Sequence, residues 1–323
     1  MVELNLDRRS FIGLGLSAFA GGAFGRAAFA ALPEGYERPS DFSPTPLEID
    51  VGAKKPFRAL HFSDSHLNFM SAAEQVSEGA KRAFKNRVPV FPQSLVNFQA
   101  SVDYARRNSL LMLHTGDLVD YESEANYAIS GRTLGKMADF HFAIGNHEYW
   151  NPKGGKTRGE IRSRAQKAFA NDVQVASRVV NGVNFVAFDD ANNNVSADVC
   201  RRVKDEFAKG LPVVLMMHVP FYTPATFEWS FVTLGCGERA GTADITGVPA
   251  EIVRSKYRAN QIDYNVPRPP TLELMAFLKE QRTLKAILCG HMHSAFSDRF
   301  SETAMQYVVG GNFKGDACEI LFT

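Results

Sequence analysis

Cysteine is scarce in this chain, with four in 323 residues and no CxxC pair. That excludes a disulfide-stapled scaffold and a thiolate zinc site, and leaves each cysteine free to act as a small buried hydrophobe. Net charge is equally scarce. The 36 basic residues meet 35 acidic ones, and residues 31–323 are formally neutral, so no global field draws the protein to nucleic acid or anionic lipid. Any anion site must be local. Internal repeats and low-complexity tracts are missing too. What remains is ordinary: 45% hydrophobic and 22% charged residues, the balance of a globular chain long enough to bury a large core.

The first thirty residues read as an address. Arg8 and Arg9 stand directly before a glycine-rich, mildly apolar run over residues 11–24, and Ala28 and Ala30 precede Ala31-Leu32-Pro33 as an A-x-A element. The run is too short and too rich in glycine to span a bilayer comfortably. The segment resembles a twin-arginine (Tat) signal peptide. That resemblance implies cleavage after Ala30, the Tat export machinery as a partner, and a periplasmic or secreted mature protein with no membrane segment. Residues 33–56 carry five prolines and no sustained period, so 31–56 reads as an N-terminal arm leading into one domain over 57–323.

Within that domain β-prone runs occupy residues 57–63, 109–115, 139–144, 183–188, 212–217 and 284–289, with closing strands at 304–309 and 318–322. Helical patterns cover 92–107, 160–170, 197–209 and 271–281. The alternation predicts a layered α/β fold, with central β-sheets flanked by helices and ligands outside the carboxyl ends of the strands.

The polar motifs stand at those ends. In order they are Asp64-Ser65-His66, Gly116-Asp117-Leu118-Val119-Asp120, Gly145-Asn146-His147-Glu148, His218, and Gly290-His291-Met292-His293. Imidazole, carboxylate and amide donors without thiolate suit Mn, Fe, Zn, Co or Ni, and the histidines are too many for a magnesium or calcium cage. So many donors imply two ions. Strand alternation would put Asp64 and His66 on one side, able to grip one ion together, and likewise His291 and His293, and the preceding glycines allow tight turns.

The series D-x-H, GDxxD, GNH[DE], H, GHxH resembles the calcineurin-like metallophosphoesterase family over nearly the whole mature chain. The resemblance implies a metallophosphoesterase catalytic domain holding two divalent transition-metal ions, Mn, Fe or Zn. Asp64, His66 and His293 would hold one ion; Asn146, His218 and His291 the other; Asp117 would bridge them. Two such cations lower the pKa of a shared water and clamp a phosphoryl oxygen for in-line attack. His147 would serve as general acid or hydrogen-bond donor, oriented and charged by Asp120. Related purple acid phosphatases place a Tyr where Asp120 stands and lack the histidine at His66, which disfavours an iron–tyrosinate centre. The 5′-nucleotidase subgroup carries a large further domain, for which the thirty residues after His293 leave no room. A non-catalytic metal- or phosphate-binding scaffold of the same fold is the competing reading.

Other residues divide more evenly. His61, His114 and His141 lie inside strand runs and read as packed or supporting groups. Glu148 stays open. Residues 221–270 exceed one strand–helix unit. Their Phe221, Tyr222, Phe227, Trp229, Phe231 and Tyr257, with Arg254, Lys256 and Arg258, form either a wall for an aryl or nucleoside phosphate or a self-packed loop. The basic run Lys153, Lys156, Arg158, Arg162, Arg164 and Lys167 faces only Glu160 among nearby acids in sequence. It reads as an anion-attracting collar or a solvated helix face, and residues 68–92 add Lys81, Arg82, Lys85 and Arg87 as a further rim. The balance favours a small phosphoester substrate and no nucleic acid.

Overall fold

Strand side chains alternate between faces, and in β3 (Leu111–Thr115) both faces are apolar: Leu111 and Leu113 join one core, Met112 another. The pattern recurs in β7 (Val213–Met216), where Val214 and Met216 oppose Val213 and Leu215. It recurs again in β8 (Leu284–Cys289), where Ala286 and Leu288 oppose Ile287 and Cys289. Such strands need cover on both sides. In the computed structural model, which describes residues 42–134 and 139–323, two sheets supply one cover and helices the other.

The first sheet has the order β1 (Thr45–Ile49), β11 (Cys318–Phe322), β2 (Phe57–Phe62), β3, β4 (Phe140–Ala143). It is parallel except where β11 meets β2. The second has the order β5 (Val175–Val180), β6 (Val183–Phe188), β7, β8, β10 (Met305–Val308), β9 (Phe296–Arg299), with antiparallel pairs only at its two edges. The inner faces close on one another through residues such as Ala59, Leu113, Phe185, Met216, Leu288 and Phe322. Outside the first sheet lie the helices Ser94–Arg107 and Arg158–Ala168; outside the second lie Ala197–Phe207 and Pro269–Glu280. Their starts are written locally. Thr157 and Glu160 form a reciprocal capping box, Ser196 accepts from the Val199 amide, and prolines open Pro269–Glu280.

The layered α/β architecture read from the sequence is the one observed, and its strand runs match within one or two residues. The part of the N-terminal arm that the structure describes, residues 42–56, includes a strand: Thr45–Ile49 pairs in parallel with β11 along the first sheet. Pro46 is tolerated there because β1 is an edge strand. The Tat-like segment and its cleavage position lie outside the described residues. Among the described residues no helix is long and apolar enough to cross a membrane. All four cysteines are unpaired, with Cys200 and Cys289 buried in the core.

Candidate metal centre

The parallel strands β2, β3 and β4 of one sheet and β7 and β8 of the other end at a common seam, and each is followed by one of the five motifs. The backbone there is unusual. Asp64, His66, Asp117, His291 and His293 all have φ between +48° and +70°, a left-handed conformation costing non-glycine residues about 1–3 kcal/mol each. Asp64 and His66 therefore converge through left-handed turns beyond the end of β2 and not, as alternation suggested, along a continuing strand. Nor do His291 and His293 share a group as alternation suggested: His293 joins Asp64 and His66, and His291 joins Asp117 and His218. Gly116 is required as glycine: its φ is +95°, and an added Cβ would sit 2.5 Å from His218 Nδ1.

These turns gather two sets of donors. In the first, His66 Nε2 lies 2.9 Å from His293 Nε2 and 3.8 Å from Asp64 Oδ1, which is itself 3.4 Å from His293 Nε2. In the second, His218 Nε2 lies 3.0 Å from Asn146 Oδ1, 3.1 Å from His291 Nδ1 and 3.2 Å from Asp117 Oδ2. That same Asp117 oxygen is 3.8 Å from His66 Nε2, so it stands between the sets. His147 projects beside them with Nε2 4.0 Å from Asp117 Oδ2.

The outer nitrogens of His66, His218, His147 and His291 are spoken for, which sets the tautomers of those four rings. His66 Nδ1–H donates to Asp120 Oδ1 at 3.0 Å, and His218 Nδ1–H to the Thr115 carbonyl at 2.7 Å. His147 Nδ1–H donates to the Asp120 carbonyl at 2.7 Å, and His291 Nε2–H faces Asp244 Oδ2 at 3.0 Å. In His66 and His218 alike, Nε2 is thus the ring nitrogen that faces inward. The Asp64 Oδ1 atom is fully buried and has no hydrogen-bond partner. A buried carboxylate oxygen left this way among converging nitrogens fits a divalent cation. The charges agree. Burial opposes ionisation of Asp117, yet the surrounding histidines hold its carboxyl well below the usual range. Burial likewise opposes a proton on His147, but Asp117 and Asp120 raise its pKa to about 9.

Several supporting residues carried no local signal in the sequence. Arg87 makes a two-pronged contact with Asp120, Nε to Oδ2 at 2.8 Å and Nη2 to Oδ1 at 2.6 Å. Of the four basic residues singled out in 68–92, Arg87 is the one that meets Asp120. Asp120 itself serves both His66 and His147. Asp244, also at positive φ, is held by Asn193 Nδ2 at 2.8 Å, and Asp190 accepts the His218 and Val219 amides. Glu148 accepts three amides, from Asp117, Val119 and Gly145, and so stitches the β3 and β4 loops together. His61, His114 and His141 stand apart from the donor sets. They bond Thr115 Oγ1, Ser65 Oγ and the Phe185 carbonyl, and burial lowers each pKa to between about 3 and about 4.

The sequence profile of calcineurin-like phosphoesterases matches residues 57–295. The chain belongs to the calcineurin-like phosphoesterase family. It is accordingly a metal-dependent phosphoester hydrolase. Among solved structures this phosphoesterase is similar to a dimetal phosphatase from Danio rerio, with 12% identity, 80% of this chain and 88% of that one covered, and a TM-score of 0.45. It is similar to TT1561 of Thermus thermophilus, with 10% identity, coverage of 80% and 91%, and a TM-score of 0.43. A 5′-nucleotidase from Candida albicans gives 12% identity and a TM-score of 0.38; the match covers 84% of this chain but 47% of that one. No curated protein sequence matches.

The two segments suspected of selecting substrate look different once folded. Phe227, Val253 and Tyr257 pack with Ala243, Ile245 and Val248, so much of 221–270 forms a small core of its own. The basic run after His147 is not an unopposed collar. Lys153 pairs with Glu74, Lys156 and Arg164 with Glu122, and Arg158 with Asp189, acids contributed by other segments.

Proposed function

We propose that the protein is an exported phosphoesterase that uses two divalent transition-metal ions, Mn, Fe or Zn, to hydrolyse phosphomonoesters or small phosphodiesters. The observation that carries this reading is the pair of inward-facing donor sets sharing Asp117, with the bare oxygen of Asp64 at one of them. Asp64, His66 and His293 would hold one ion and Asn146, His218 and His291 the other. When bound, the ions would supply a nucleophile near neutral pH and polarise the phosphoryl oxygen.

The remaining work belongs to the chain. His147 keeps Nδ1 on the Asp120 carbonyl, so its Nε2 is the atom that faces the reacting group. A proton held there passes to the departing alkoxide oxygen as its bond to phosphorus breaks, while Asp120 and Arg87 hold the ring in place. Pairing of Lys153, Lys156 and Arg158 with acids supports a small substrate over a nucleic acid, since those cations are already matched and less free to follow a phosphate backbone. Export rests on the Tat-like segment alone, and N-terminal sequencing of the secreted protein for a start at Ala31 tests it. Activity is tested with the mature protein, loaded with Mn or Zn, on p-nitrophenyl phosphate and bis-p-nitrophenyl phosphate. Turnover well above an Asp117→Asn control supports the reading; none on either compound or on a nucleotide panel rejects it.

A further inference from the structure

Burial leaves few aromatic rings in solvent. Among the described residues the only exposed ones are Trp150, 37% exposed, and Tyr264, 42% exposed. Both line the same cavity of about 450 Å³, whose wall also includes Asn146 of the second donor set. Rings left in water at a concave site beside reactive groups are the usual furniture of a ligand pocket.

Both rings are held in place. The Trp150 amide donates to the His147 carbonyl at 3.1 Å, its carbonyl accepts from the Glu122 amide at 2.8 Å, and its ring meets Tyr121 and His147 edge-on. Tyr264 donates its hydroxyl to the Ala191 carbonyl at 3.3 Å. Its neighbour Asn265 is fully buried and anchored by Asn193 Nδ2 at 2.8 Å. Walls fixed in advance lose little entropy when a ring enters.

Charge decides what the cavity takes. Its two cations are already matched: Lys156 lies 3.0 Å from buried Glu122, and Arg158 lies 3.2 Å from buried Asp189 while stacking on Tyr149. No surplus positive charge remains for a second phosphate. We propose that this cavity is the leaving-group subsite and that it takes a planar, uncharged ring, aryl or nucleobase, carried by the alcohol esterified to the phosphate. The inference rests on the phosphoesterase reading above and adds the substrate class to it. The 221–270 excursion thereby gains a role its self-packed core does not explain, which is to deliver Tyr264.

The test has a kinetic arm and a binding arm, both on the metal-loaded mature protein. The kinetic arm compares kcat/KM for phenyl phosphate, inosine 5′-monophosphate and glycerol 2-phosphate. The expected result is that Tyr264→Ala lowers the ratio of one or both ring-bearing substrates to glycerol 2-phosphate at least tenfold, mainly through KM, and that Tyr264→Phe restores it. Which ring-bearing substrate responds tells aryl from nucleobase. A ratio that does not move overturns the proposal. The binding arm measures phenylphosphonate and methylphosphonate, neither of which is hydrolysed, by calorimetry and by Trp150 fluorescence in a Trp229→Phe background. Phenylphosphonate should bind at least tenfold tighter, and Tyr264→Ala should erase the difference; equal affinities in the unsubstituted protein overturn the proposal. Loss of all turnover with that preference intact would instead fault the phosphoesterase reading.

Discussion

His147 faces Asp117 and Asp244 backs His291, and the two kinds of contact predict two kinds of failure. His147 presents Nε2 toward Asp117 at 4.0 Å while Nδ1 is tied to the Asp120 carbonyl. If it delivers the leaving-group proton, His147→Gln should lower kcat by about 10²–10⁴ with metal content retained. The loss should be deeper for glycerol 2-phosphate than for p-nitrophenyl phosphate, whose leaving group needs no proton. Equal losses on both would remove the acid role. Asp244 acts on metal binding instead, because its 3.0 Å contact to His291 Nε2 turns Nδ1 inward. Asp244→Ala should weaken metal affinity about 10- to 100-fold, read by equilibrium dialysis, as when a carboxylate behind a ligating histidine is lost.

At the scale of elements, β4 carries a histidine with no part in the site. His141 is buried between the sheets against the Phe185 carbonyl, and burial lowers its pKa to about 4 from an ordinary 6.5. The folded ring stays neutral while the unfolded one takes up a proton as pH falls below about 6.5, so stability is lost across that window down to about 4. Between pH 7.5 and 4.5 the unsubstituted protein should lose about 2–3 kcal/mol more unfolding free energy than His141→Leu, measured by urea titration at each pH. Identical losses would mean that His141 is protonated in the fold.

The strands were legible because apolar runs stop at glycine or at polar motifs, and every motif residue lies within five positions of a strand end. β5 left a signal that went unread: Asn181 and Gly182, both at positive φ, make the two-residue turn that pairs it with β6. β1 was hidden by its prolines, which an edge strand accepts. Asp244 and Arg87 were illegible for another reason. Asp244 reaches the site from a loop and Arg87 from the end of the helix Glu78–Arg87, and only tertiary packing brings Asp244 to His291 and Arg87 to Asp120. The basic residues after His147 misled for the same cause, since their acidic partners stand 31–79 positions away in the chain.

For the whole molecule, the seam between two sheets is the feature that makes the chemistry possible. One sheet supplies Asp64, His66, Asp117 and Asn146, the other His218, His291 and His293, and neither set of donors is complete on a single sheet. Bringing five of these residues together in left-handed turns costs folding energy that bound cations are placed to return. Elemental analysis of the mature protein, loaded with Mn or Zn and dialysed against metal-free buffer, tests this most directly. The account predicts two ions per chain, falling to about one in His293→Ala and in His218→Ala. No retained metal, or a single ion that survives both substitutions, would contradict it.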